Sequence, residues 1–142
     1  MLNQVYHKTK PFKKRLVVYN IEVPVEIFST ELSPAESLTK YLKEQKKLSF
    51  SEISRILNRD QRGIWGAYQR ALKKQNSSVL LFPSKVWIPV NIFQDRKFAV
   101  LEMLVIYLKE NNNLKINEIA DMLDKSKSTV WTVFNRARKK RL

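Results

Sequence analysis

The feature that most constrains this chain is that it repeats itself. Val23-Pro24-Val25-Glu26-Ile27-Phe28 returns 65 positions later as Ile88-Pro89-Val90-Asn91-Ile92-Phe93. One residue is then inserted and the offset becomes 66. Tyr41-Leu42-Lys43-Glu44 recurs as Tyr107-Leu108-Lys109-Glu110, Glu52-Ile53 as Glu118-Ile119, and Ile64-Trp65 as Val130-Trp131. Tyr68 aligns with Phe134, Arg70-Ala71 with Arg136-Ala137, and Lys73-Lys74 with Lys139-Lys140. A match held in register for so long predicts two copies of one supersecondary unit. They span residues 11–75 and 79–142, join at Gln75-Asn76-Ser77-Ser78, and follow a basic arm over residues 1–10.

Each unit opens with a β-rich segment, Leu16 to Phe28 and Val79 to Phe93, where β-branched and aromatic residues alternate imperfectly with polar ones. Pro24 and Pro89 give no ladder donor, so these are edge strands or strands that end at the proline. The two short strands can pair with each other. Three helices follow. Ser33-Pro34-Ala35-Glu36 combines an N-cap serine, a first-turn proline and a capping-box glutamate, and its helix runs to about Glu44. Ser49-Phe50-Ser51-Glu52 opens a second helix with Ile53, Ile56 and Leu57 on one face, ended by Asn58-Arg59. Asp60 is the expected cap of a third, whose buried stripe is Ile64, Ala67, Tyr68 and Ala71; Ser126, Val130, Val133, Phe134 and Ala137 are the counterparts. The opening helix of the second unit is expected at about Asp95 to Glu110. The fold class is therefore mainly α with short β segments: two tandem repeats, each a β-rich segment followed by a three-helix unit.

Charge narrows the function. Twenty-seven Lys and Arg against 13 Asp and Glu give a net charge of +14, which favours a polyanionic partner. Both units share it: residues 1–75 carry 15 basic and 7 acidic side chains, residues 76–142 carry 12 and 6. With no cysteine and His7 as the one histidine, disulfides, thiol catalysis and a Cys/His zinc site are excluded, and no cofactor or metal is expected. The four aspartates and nine glutamates are scattered, without a ligand cluster or phosphate loop, so the chain is expected not to be an enzyme. No apolar run reaches the ~18 residues of a spanning helix and no signal-peptide pattern opens the chain, so the expected location is cytoplasmic, at the nucleoid.

A helix of eight residues, a short turn and a second helix with a basic outer face is the layout of a helix-turn-helix. Glu52-Ile53-Ser54-Arg55-Ile56-Leu57-Asn58-Arg59-Asp60-Gln61-Arg62-Gly63-Ile64-Trp65, ending Arg70-Ala71-Leu72-Lys73-Lys74, resembles the helix-turn-helix of region 4 in bacterial sigma factors. Glu118-Ile119-Ala120 through Arg136-Ala137-Arg138-Lys139-Lys140 is similar to the same family. The resemblance covers about 40 residues of each unit and implies that the third helix of each reads the DNA major groove. Trp65 and Trp131 depart from it, standing where that family commonly has a polar or basic residue.

With Ile64 and Tyr68 facing inward at 100° per residue, the outer face of the first recognition helix carries Arg62, Gly66, Gln69 and Lys73, flanked by Trp65 and Arg70. The second presents Lys127, Ser128, Thr132, Asn135 and Lys139, flanked by Trp131 and Arg136. Gln69 and Asn135 can pair with adenine and Arg62 with guanine, while Lys73, Lys74, Lys139 and Lys140 suit phosphates. Trp65 and Trp131 are expected to complete the core at the helix edge, with stacking on DNA as the alternative. Gly63 and Gly66, the two glycines of the chain, mark either a close approach of backbone to DNA or degeneration of the first copy. Lys8, Lys10, Lys13, Lys14 and Arg15 are expected to form an arm for the minor groove or phosphates, with a solvated, disordered tail as the alternative.

These features predict a sequence-specific binder of double-stranded DNA, a transcription regulator with two linked readers on two unequal half-sites. RNA polymerase or other transcription proteins are further expected partners; a membrane is not. The alternatives are a sequence-independent architectural or chromatin protein, and a protein-interaction module contacting the transcription machinery.

Overall fold

A computed structural model describes residues 19–75 and 83–142. It is mainly helical, with six α-helices and one two-stranded sheet. The strands are short because each ends at its proline. β1 covers Glu22–Pro24 and β2 covers Trp87–Pro89, and the next residue in each case begins a 3-10 turn, Val25–Phe28 or Val90–Phe93. Among the described residues each β-rich segment is thus strand for three residues only. Their remaining apolar residues, among them Val25, Ile27, Phe28, Val90 and Phe93, turn into the core instead of extending a ladder.

Helix α1 (Pro34–Glu44) and helix α2 (Phe50–Leu57) start where the capping boxes place them. Ser33 Oγ accepts from the Glu36 amide (3.2 Å) and Glu36 from the Ser33 amide (3.0 Å). Ser49 and Glu52 make the same exchange at 3.1 and 2.9 Å. α3 spans Gln61–Lys74, but Asp60 at its N-cap makes no capping bond with its side chain. α4 is Val100–Asn111, shorter at its start than the expected Asp95 to Glu110. Asp95 takes the Lys97 amide on its side chain (3.0 Å) and the Phe98 amide on its carbonyl (3.1 Å), forming a turn that delays the helix until after Ala99. α5 (Ile116–Leu123) and α6 (Lys127–Arg141) complete the chain, with Ser126 Oγ capping α6 through the Thr129 amide at 3.1 Å.

The sheet is antiparallel, with Glu22 opposite Pro89, Val23 opposite Ile88 and Pro24 opposite Trp87. Two further bonds flank it, Val25 N–H to Val86 O (3.1 Å) and Val90 N–H to Ile21 O (3.0 Å). The 3-10 turns cross over. Val25–Phe28 is wedged between α1 and α5, and Val90–Phe93 between α4 and α2. Phe28 and Phe93 meet at 6.2 Å between ring centres, and one continuous apolar cluster runs from Tyr19 to Val133. α1 also packs on α4. Burial of Leu38, Leu42, Ile53, Ile56, Leu104, Leu108 and Ile119 in this shared interior holds the two three-helix groups to one another.

Candidate nucleic-acid interface

α2 and α3 are joined by three residues, and α5 and α6 by three more. Each turn begins with a left-handed residue, Asn58 at φ 53° and Asp124 at φ 55°. Asn and Asp tolerate this region better than other side chains, which is why the sequence makes the turn without glycine. The amide of Arg59 closes the first turn onto Ser54 O (3.0 Å), and that of Lys125 closes the second onto Ala120 O (2.9 Å). α3 then packs on α1 and α2 through Ile64, Ala67 and Ala71, and α6 on α4 and α5 through Val130, Val133 and Ala137. Small alanines on the inner stripe bring the helices close and leave the opposite faces to solvent.

On the outer side of α3, Arg62, Trp65 and Lys73 are exposed and Gln69 and Gly66 half-buried; on α6, Lys127, Ser128, Trp131, Thr132 and Lys139 are exposed and Asn135 half-buried. Trp65 is 53% and Trp131 52% accessible, so neither completes the core, contrary to expectation. The inner stripes are already filled by residues three and four positions apart, and Trp131 lies at the edge of one, its ring 6.4 Å from that of Phe134.

The two flanking arginines behave differently from the rest. Arg70 Nε donates to Glu36 at 3.2 Å and Lys74 Nζ to the same carboxylate at 2.9 Å. Arg136 Nε and Lys140 Nζ hold Glu102, both at 2.7 Å. The two carboxylates are almost wholly buried, at 4% and 1% side-chain exposure. Burial alone would raise their pKa values; the lysine, the arginine and the backbone N–H at the helix start outweigh it and hold both below the ordinary range. Arg70, Arg136, Lys74 and Lys140 are therefore clamps that fasten α3 and α6 to α1 and α4, two partly exposed cations sharing each buried carboxylate. Arg62, Lys73, Lys127 and Lys139 carry no such tie among the described residues. The glutamates were visible in the sequence only as capping residues. The signal that marks their second role is that Glu36, Arg70 and Lys74 all recur, 66 positions on, as Glu102, Arg136 and Lys140.

Tyr68 is also more than a core residue: half-buried, it donates its hydroxyl to Glu44 Oε2 (2.9 Å), whose other oxygen accepts from buried Lys40 (2.6 Å). Burial and the neighbouring carboxylate raise its pKa. Tyr41 is fully buried, while Tyr107 and Phe134 are half-buried. The glycines have space around them. A Cβ on Gly63 would meet nothing within 4 Å, and one on Gly66 would meet only the tip of Arg70 at 3.3 Å. The basic arm of Lys8, Lys10, Lys13, Lys14 and Arg15 lies outside the described residues, as do His7 and residues 76–78 of the joint. Among the described residues no cluster of His, Asp and Glu is placed to hold a metal ion, and no helix is long and apolar enough to cross a membrane. Away from the exposed faces, an open cavity of about 500 Å³ lies between α4 and the end of α6, with Ile92, Phe98, Met103, Ile106 and Tyr107 in its lining.

No protein-family model matches the chain. No solved structure gives a significant match. Among curated proteins the chain is similar to an aspartate/glutamate leucyltransferase of Methylobacillus flagellatus, 26% identical over 120 residues, covering 82% of this chain and 45% of that protein. The chain thus spans less than half the length of this relative. The similarity corrects one expectation: scattered carboxylates led to the reading that the chain is not an enzyme, and a relative with an enzyme's name overturns it. The expectation rested on an absence, and scattered carboxylates along a sequence do not exclude side chains that converge in space.

Proposed function

We propose that this chain binds double-stranded DNA through two helix-turn-helix units of one repeated design, similar to sigma-factor region 4, and that it acts in transcription regulation. The observation that carries the reading is the pair of matching outer faces: after a three-residue turn, α3 and α6 each carry an exposed tryptophan, a half-buried amide side chain and an exposed lysine at the same positions, Trp65, Gln69 and Lys73 against Trp131, Asn135 and Lys139. The amides suit adenine and the lysines suit phosphate.

The strand pairing supports both the repeat and its orientation. Val23 and Ile88, which correspond at the 65-residue offset, lie opposite each other, and the flanking bonds Val25 to Val86 and Val90 to Ile21 exchange corresponding residues. Such self-complementary contacts are those of a twofold interface. Two readers related in this way face inverted half-sites, and their differing outer residues favour half-sites that are not identical.

The test is selection of bound duplexes from a random library at near-physiological salt, with the Gln69→Ala/Asn135→Ala variant in parallel. Two short inverted motifs at fixed spacing, weakened in the variant, are expected. Retention without any enriched motif would replace the reading by a sequence-independent architectural protein, and no retention would leave the protein-interaction role.

A second reading is favoured by the relative. That protein is named for leucyl transfer to aspartate or glutamate, and the cavity between α4 and α6 sets an apolar patch of Phe98, Met103 and Ile106, where a leucyl side chain could rest, beside charged Asp95, Lys97, Glu110, Lys140 and Arg141. Transfer of a labelled leucyl group to aspartate- or glutamate-bearing peptides, abolished by Ile106→Trp, would establish it; no transfer would remove it.

A further inference from the structure

Trp65 and Trp131 stand at one register, each five positions after its helix N-cap, Asp60 or Ser126. About half of each residue faces water, outside the buried stripes of α3 and α6, although Trp131 also meets the Phe134 ring at 6.4 Å. The third exposed tryptophan, Trp87, is different: its indole N–H is donated to Ser84 O at 3.1 Å. Among the described residues neither Trp65 nor Trp131 has such a partner.

Helical geometry sets where they would touch a ligand. Trp65 lies roughly 40–60° around the helix from Gln69 and Arg62, and Trp131 is offset equally from Asn135 and Ser128. When the row Arg62–Gln69–Lys73 is laid along a major groove, the indole meets one side of the same base pairs. Base faces in a closed duplex are stacked and inaccessible. The apolar group that the major groove does offer is the C5-methyl of thymine.

We infer that Trp65 and Trp131 each pack on a thymine methyl, so that each half-site is read by an amide–adenine pair and an indole–thymine contact side by side. The inference rests on the duplex-binding reading above and adds the base class at one position of each half-site. It also accounts for the departure of these positions from the polar residues of the family that the units resemble: an apolar base feature calls for an apolar side chain.

Removal of the methyl alone tests it. Binding of the full chain is compared between an alternating dA·dT duplex and the same duplex with deoxyuridine for thymidine, for the natural protein, Trp65→Ala, Trp131→Ala and the double variant. Circular dichroism checks that each variant is folded, and Trp65→Phe tests whether another apolar ring restores the preference. The natural protein is expected to favour the thymine duplex by about fourfold for each tryptophan, the value of one buried methyl. Each single variant loses one such factor and the double variant binds both duplexes alike. A preference that survives in the double variant overturns the inference while duplex binding stands. Loss of binding to single-stranded oligonucleotides in the double variant, with the duplex preference unchanged, also overturns it and assigns the indoles to base stacking. Failure of the natural protein to bind any duplex overturns the DNA reading itself and this inference with it.

Discussion

The segment from α1 to α3 and the segment from α4 to α6 share a layout but are held together differently. In the first, serines complete the capping boxes of α1 and α2, and α3 starts uncapped by Asp60. In the second, Ala99 and Lys115 supply only their amides to Glu102 and Glu118, while Ser126 caps α6. The first turn is tied across the molecule: Asn58 Nδ2 donates to Gln94 O (2.9 Å), Gln94 Nε2 to Ile56 O (3.2 Å) and Arg59 Nη2 to Phe98 O (3.0 Å). The carboxylate of Asp124 has no hydrogen-bond partner among the described residues. α3 is thus anchored through its turn, α6 through its cap. Similar outer faces can be presented by unequal supports, because which residues face outward follows from the stripe that is buried.

Removing a clamp is the strongest way to break this equivalence. Glu102→Ala is expected to cost about 2 kcal/mol in chemical denaturation, limited because the half-exposed Arg136 and Lys140 regain water. Since Glu36 and Glu102 titrate below the ordinary glutamate value of 4.5, their contribution is complete above that pH and is lost as the pH falls through their lowered values. Thermal unfolding of the natural protein should therefore drop in acid, and Glu36→Gln/Glu102→Gln should flatten that drop. A steep acid transition in the double variant would refute the assignment.

The turn comes next in size. Asn58→Gly keeps the left-handed conformation but removes the bond to Gln94, for an expected loss of about 1.5 kcal/mol, whereas Asp124→Gly should stay within about 0.5 kcal/mol of the natural protein. Equal costs at the two turns, measured by urea unfolding, would erase the distinction. Ser126→Ala should cost about 1 kcal/mol and Asp60→Ala much less, which calorimetry can separate. Gly63→Ala differs in sign, expected to raise stability by about 0.8 kcal/mol because its added methyl meets open space in an exposed helix.

Residues a few positions apart made much of this fold legible. Ser33, Glu36, Ser49 and Glu52 announce two helix starts by contacts three residues long, and the Pro24 and Pro89 strand ends follow from a missing amide. The delayed start of α4 was missed because Asp95 competes for the Lys97 amide, a local turn that looks like a helix start in sequence. The exposed tryptophans were missed because hydrophobicity alone assigns an indole to the core, while the alanine-lined stripe had no room for it.

By itself the sequence determined the helix starts at Ser33 and Ser49, the strand ends at the prolines and the net positive charge, since each rests on neighbours within one turn or on summed charge. The tertiary structure alone decided that β1 meets β2 antiparallel, that each 3-10 turn inserts beneath the other group's second helix, and that Glu36 and Glu102 gather cations 34 and 38 residues away. Contacts of that separation depend on which apolar surfaces close against one another, and no spacing along the chain encodes that choice.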